Sequence, residues 1–292
     1  MADVVFAAVP TPFAADGSVD IACARRLYEF LGDRIDGLLV AGTTGEFPAL
    51  DSGERLVLID TAIDVLGPDR IIAHIGAPDA YHAVRLAREA ALLGASRIAA
   101  ITPYYLPASP AEVTEYYLRI REAAPEAGLY AYIFPERTGL TVAPQQFCEL
   151  ADAVGLAGAK FSGVAARNVA ECAAALPGVR IFSGDDSDLA GTLRAGGAGI
   201  ISARTSAFPE VFAGLSAALS AVAGGADLAG EAAARQADVA AIAGLGQSIG
   251  LVKEALRVRG FGPMTARMAV AEPDEATAAR LAELVKSLEP AA

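Results

Sequence analysis

The feature that most narrows the folds open to this chain is a repeated texture. Short apolar runs, each closed by Gly, Pro, Thr or Ser, alternate with longer stretches of helical period. Runs of the first kind read as buried strands, and stretches with apolar residues recurring at three and four positions read as amphipathic helices. Eight candidate strands follow one another: VVFAAV from Val4, GLLVAG from Gly37, RIIAHI from Arg70, RIAAIT from Arg97, LYAYIF from Leu129, GLAGAK from Gly155, VRIFSG from Val179 and GAGIIS from Gly197. Between them lie DIACARRLYEFLGD, SGERLVLIDTAIDVLG, AYHAVRLAREAALLG and similar segments, with glycine near the C-terminal end. Eight such units in about 200 residues, with no break in composition, predict a closed (β/α)8 TIM barrel; a doubly wound open sheet is the alternative.

The texture changes after an eighth helix near Phe208 to Val222. The stretch AGGADLAG marks a joint, and Glu231 to Leu288 is mostly helical without further strands. The expected division is therefore a barrel of residues 1–223 and a C-terminal helical extension of residues 224–292, serving as a cap or as a face for another subunit. The longest uncharged apolar stretch, Val211 to Ala226, falls short of the roughly 20 residues of a membrane span and reads as a buried helix. The opening MADVVFAAVPTPF has no basic leader and reads as a strand rather than a signal peptide.

Lys+Arg of 23 against Asp+Glu of 35 leaves a net charge of −12, which argues against nucleic acid or an anionic membrane as partner. Small molecules remain. Cys23, Cys148 and Cys172 are odd in number and widely spaced, so neither a disulfide framework nor a zinc site is suggested, and a reducing cytoplasm fits.

In a barrel of this kind, reactive groups gather at the C-terminal ends of the strands. After the second strand, AGTTGEFPAL brackets Thr43 and Thr44 between glycines, a turn whose N–H groups can converge on a carboxylate or simply cap the next helix. After the fourth, TPYYLP holds two tyrosines between prolines, positioned for proton transfer or as interface aromatics. The fifth, YAYIFPERTG, puts Tyr130 and Tyr132 on one face, with Arg137 beyond as a carboxylate clamp or a solvated loop residue.

The sixth strand ends in Lys160, a lone charge after an uncharged apolar run. Alternation sets it on one face with Gly158 and Leu156, so small neighbours leave room. Burial disfavours an ammonium, and a neutral amine there can condense with a carbonyl to a Schiff base. Taken alone, Lys160 could equally snorkel to solvent. Together with the threonine turn, the tyrosines and Arg137 it makes a keto-acid site. His74 and His82 form no metal cluster with a carboxylate pair; His82 reads as exposed, His74 as packed in or near the barrel, and no catalytic metal or cofactor is expected.

Over nearly its whole length the chain resembles the pyruvate-dependent class I aldolase superfamily, which includes dihydrodipicolinate synthase, N-acetylneuraminate lyase and 2-keto-3-deoxy sugar acid aldolases. The resemblance rests on P-T-P-F at Pro10 to Phe13, G-T-T-G-E at Gly42 to Glu46, T-P-Y-Y at Thr102 to Tyr105, Tyr132 with Pro135, G-x-K at Gly158 to Lys160, S-G-D-D at Ser183 to Asp186 and G-I-I-S at Gly199 to Ser202. It implies that Lys160 forms the imine and that Tyr132 is the acid and base over it. Thr43 would link Tyr132 to Tyr105, which in this family reaches a neighbouring subunit's site, so a homodimer or homotetramer is implied. The Thr43 and Thr44 amides would bind the keto-acid carboxylate, Ile201 would offer its carbonyl, and Gly184 would shape the pocket floor.

R-T-G at Arg137 to Gly139 is similar to the synthases' clamp for the second substrate, and Thr43 stands where sialate lyases usually carry serine. Ile133 in place of an asparagine, and Phe47-Pro48 after G-T-T-G-E, are more like sugar-acid aldolases or dehydratases. The expectation is thus a lyase joining pyruvate to aspartate semialdehyde. The alternatives are cleavage or dehydration of a 2-keto-3-deoxy sugar acid, and a keto-acid-binding barrel without turnover.

Overall fold

Eight parallel strands pair in chain order and close on themselves: β1 (Val5–Ala8), β2 (Gly37–Val40), β3 (Ile71–His74), β4 (Arg97–Ile101), β5 (Gly128–Ile133), β6 (Gly158–Phe161), β7 (Arg180–Ser183) and β8 (Gly199–Ser202), with β8 beside β1. The computed structural model describes residues 4–223, 229–246 and 248–288. The expected TIM barrel is thus the observed fold, and the open sheet is excluded by the β1–β8 ladder. Most of the joint AGGADLAG lies outside the described residues.

Helices cross between strands, their starts fixed by local chemistry. Asp51 and Glu54 form a reciprocal capping box at Ser52–Leu66, and Ser109 with Glu112 does the same at Pro110–Ala123. Their apolar stripes and the outward faces of the strands build one continuous core. The inward faces fill the barrel with Phe6, Ala8, Leu39, Ile72, Ala99, Tyr130, Phe182 and Ile201. Phe6 meets Phe182 edge to face at 5.5 Å. Gly158 makes room in this layer, because a Cβ there would lie 2.2 Å from the Tyr130 ring.

One detail of register differs from expectation. Helix Pro144–Val154 ends on a left-handed Gly155, and β6 begins only at Gly158. Leu156 therefore precedes the strand and packs in the outer core rather than beside Lys160. The alternation that matters, Gly158 with Lys160, survives.

Beyond the barrel, helices Ala229–Ala243, Ile249–Val258 and Glu275–Leu288 lay Val239, Ile242, Leu251, Leu256, Leu281 and Val285 into the same outer core. Among the described residues no helix is long and apolar enough to cross a membrane. The extension is also tied to the barrel by charge. Lys253 donates to the fully buried Glu46 carboxylate at 2.5 Å and to the Thr265 carbonyl at 2.7 Å. The same carboxylate accepts the amides of Arg267 and Met268. Burial pushes the Lys253 ammonium below its usual pKa, and the Glu46 contact opposes that shift.

Candidate active site

A cavity of about 190 Å³ opens at the C-terminal ends of the strands, a size suited to a small metabolite. Its lining includes Thr43, Thr44, Tyr132, Arg137, Lys160, Gly184 and Ile201, seven of the eight residues singled out from the sequence. Parallel pairing explains the convergence: Ile101 lies opposite Tyr132, and Tyr132 opposite Lys160, on adjacent strands. Side chains paired in register on the inward face must meet.

Lys160 is 7% exposed and has no carboxylate at ion-pair distance among the described residues. Its Nζ stands 4.6 Å from the Tyr132 ring centroid. The Tyr132 hydroxyl in turn is 3.3 Å from Thr43 Oγ1. An amine, a phenol and a hydroxyl thus line one wall in sequence, a geometry able to pass a proton to or from a group bound at the amine.

The turn carrying Thr43 and Thr44 is held from below. Ala41 and Glu46 adopt left-handed conformations, with φ of 55° and 57°, so the chain reverses sharply between them. Glu46 N–H donates to Thr43 O, Phe47 N–H to Gly42 O, and Thr11 Oγ1 to Gly45 O. The amides of Thr43 and Thr44 form no hydrogen bond among the described residues, which leaves them available for an anionic ligand.

Beneath Tyr132 lies a fully buried His74, its ring 6.1 Å from Tyr132 and 4.6 Å from Phe47. A carbonyl only accepts, so the 3.0 Å contact with Ala41 O places the proton on Nδ1, and Nε2 accepts from the Ile101 amide at 3.3 Å. Burial first, and the nearby Arg55 charge second, push this imidazole well below its ordinary pKa. The sequence placed His74 correctly in the barrel, but its bridging of β2 and β4 under the site could not be read there. His82 is exposed and pairs with Asp79.

Arg137 sits on the short helix Pro135–Thr138, its guanidinium 5.3 Å over the Phe134 ring and without a carboxylate partner among the described residues. Tyr105 is the one predicted residue the chain does not bring to the cavity. It is 91% exposed with φ of 79°. Its neighbour Tyr104 is the half-buried member, edge-on to Phe47 at 5.9 Å.

Ile133 and Phe47, the departures from the synthase pattern, both lie outside the cavity lining. Ile133 points into the outer core, and Phe47 packs with Ile101 and Tyr132 beneath the site. Conversely, Ser162, Arg204, Ile249 and Val252 line the cavity without having been anticipated, as do Asp185 and Asp186, which the S-G-D-D motif included without a role. Ser162 is two residues past Lys160, so alternation would have found it. Ile249 and Val252 come from the extension, and no local signal marks them.

Residues 1–288 of the 292 match the model of the dihydrodipicolinate synthetase family. A 4-hydroxy-tetrahydrodipicolinate synthase from Synechococcus sp. strain CC9605 is 36% identical, over 74% of this chain and 72% of its own length. An uncharacterised DapA-like lyase from Halobacterium salinarum is 32% identical over 94% of this chain and 92% of its own. Among solved structures, a prophage protein of the dihydrodipicolinic acid synthase family from E. coli K12, crystallised with pyruvate, superposes with a TM-score of 0.87 at 28% identity and covers 98% of both chains.

Proposed function

The chain belongs to the dihydrodipicolinate synthetase family, and from that premise we propose that it is a Schiff-base lyase joining pyruvate to aspartate semialdehyde. The observation that carries this reading is Lys160, buried without a counter-ion among the described residues and set against Tyr132. Pyruvate is also the molecule found with the E. coli relative.

The chemistry follows from the order of groups along the wall. Nζ of Lys160 attacks the pyruvate ketone through its lone pair, and the oxygen leaves as water once Tyr132, with Thr43 behind it, has delivered a proton. The cationic imine then draws electrons from the methyl carbon, Tyr132 takes a proton from it, and the resulting enamine attacks the aldehyde. Hydrolysis of the new imine frees the lysine. The open amides of Thr43 and Thr44 hold the pyruvate carboxylate, the Ile201 carbonyl lies near the imine, and Gly184 keeps the floor low. Arg137, without a carboxylate partner among the described residues, meets the carboxylate of the second substrate in two parallel hydrogen bonds.

We further propose assembly as a homodimer or homotetramer, in which the exposed Tyr105 completes the relay of a neighbouring subunit. We propose, too, a barrel of residues 1–223 and an extension of residues 224–292 that acts as a wall of the site.

Incubation with pyruvate and borohydride tests the core of this reading. A stable adduct mapped to Lys160 is expected, and it should be absent from Lys160→Ala. An unmodified lysine refutes the mechanism. A panel of aspartate semialdehyde and 2-keto-3-deoxy sugar acids then assigns the reaction, and an adduct without any turnover would indicate a binding protein.

A further inference from the structure

We infer that Arg204, held by Asp186, is a positioning residue that sets the extension's wall of Ile249 and Val252 against the cavity and so governs the fit of the second substrate. The inference rests on the reading of Lys160 as the pyruvate-binding lysine. On that reading the imine-forming and proton-passing side chains come from the ends of β2, β5 and β6, and the wall that the extension adds beside β8 is left to the second substrate.

Arg204 follows β8 directly and is 3% exposed, and Asp186 is 2% exposed. Arg204 Nε donates to Asp186 Oδ1 at 3.1 Å and to Oδ2 at 3.0 Å, and Nη2 donates to Oδ1 as well. Ser202 Oγ donates to the other side of the carboxylate. The aspartate is therefore spent on aiming the guanidinium, not on a ligand.

The guanidinium's far edge reaches the extension. Nη1 donates to Gly246 O at 2.8 Å and to Ala243 O at 3.3 Å. Ala243 ends helix Ala229–Ala243, where the helix dipole is negative, so a cation is favoured. Gly246, with φ of 111°, lies in the joint before Ser248, whose hydroxyl caps helix Ile249–Val258. Arg204 thus holds Ala243 and Gly246, close before that helix. Ile249 and Val252, three residues apart, fall on one face of it and line the cavity. Gln236 makes a second tie, its Nε2 donating to Ser187 O at 2.5 Å.

A buried ion pair is a poor source of stability compared with apolar packing, whereas its directional bonds fix geometry. Nothing else among the described cavity residues comes from the extension, so the clamp and the wall stand or fall together.

The test is the double variant Asp186→Asn/Arg204→Gln, which removes both charges so that neither is stranded, alongside Ile249→Ala, which alters the wall and spares the pair. Both should trap pyruvate with borohydride within about twofold of the parent, while the KM for the aldehyde rises about tenfold and discrimination among aldehydes of different length falls. In the double variant alone, amide exchange across 244–252 should accelerate about tenfold. If the KM values for pyruvate and aldehyde rise together, or if exchange accelerates while neither moves, Arg204 is only structural and the inference fails. Should the double variant not fold, Ile249→Ala decides the wall's role and Arg204→Lys, which keeps the charge and loses the forked grip, decides the clamp's. A parent that forms no adduct overturns the reading of Lys160 itself, a result visible before any variant is made.

Discussion

Lowering the pH from 8 to 5 should destabilise the fold through His74, the buried ring beneath Tyr132. In the native state this imidazole is fully buried, neutral, and held well below its ordinary pKa by burial and by the Arg55 charge. In the unfolded chain it titrates near 6.5. Below that value the unfolded state binds a proton that the native state does not, so stability is fully present above about pH 6.5 and is lost as pH falls, at about 1.4 kcal/mol per unit. Integrated to pH 5 the loss is about 2 kcal/mol. Paired carboxylates such as Glu54, whose pKa is depressed by Arg267, lose their contribution only at lower pH, so the window isolates the histidine.

Urea unfolding of the parent and of His74→Gln at pH 8 and pH 5 measures this directly. The variant loses the ring's contact with Phe47 and starts less stable by roughly 1–3 kcal/mol, but its stability should change little between the two pH values. Because the native ring stays neutral, Nε2 keeps accepting from the Ile101 amide across this window, so the acid loss should appear in stability and not in the bridge itself. Equal pH dependence in parent and variant would refute the assignment of His74 as the neutral, buried bridge between β2 and β4.

Glu46→Gln strands the buried Lys253 charge and should cost about 3–5 kcal/mol, seen as a thermal midpoint roughly 10 °C lower. Adding Lys253→Met should recover part of that loss, whereas additive losses would show that the two residues do not interact. Gly158→Ala forces a methyl into the Tyr130 ring and the Arg180 carbonyl, and should destabilise by about 1–3 kcal/mol in urea while slowing pyruvate trapping at Lys160. With an aromatic disulfide at pH 8, Cys148 should react first; Cys23 and Cys172 are buried, the Cys172 thiol pushed up to about 12, so these two react only after unfolding.

What could be read from the residues alone divides along a physical line. Strand and helix identity, the closed barrel, and the facing of Tyr132 and Lys160 follow from local periodicity and from the rule that parallel strands in a barrel share one inward face. Leu156 is misplaced by the apolar run because Gly155, where that run suggests the strand begins, is the left-handed end of helix Pro144–Val154, and β6 starts only at Gly158. Arg204 and His74 were opaque for a different reason. Their roles depend on partners 18 and 33 residues away, Asp186 and Ala41, and no spacing rule announces such bonds.

The Glu46 contacts show why the extension cannot be treated as an ornament on the barrel. Glu46 ends the turn that presents Thr43 and Thr44, and its carboxylate is held by Lys253 and by the amides of Arg267 and Met268, all from the extension. Arg204 makes the reciprocal connection from the other rim, reaching from β8 to the joint before Ile249–Val258. Helix Ile249–Val258 is therefore fixed at two points, with Lys253 gripping one side of the cavity and the Gly246 joint the other, and Ile249 and Val252 stand between them. A helix gripped twice, with its apolar residues on the cavity, has little freedom to tilt without moving either the threonine turn or the second-substrate wall. The extension thus shapes the candidate site as directly as any strand does, although it supplies no group to the chemistry.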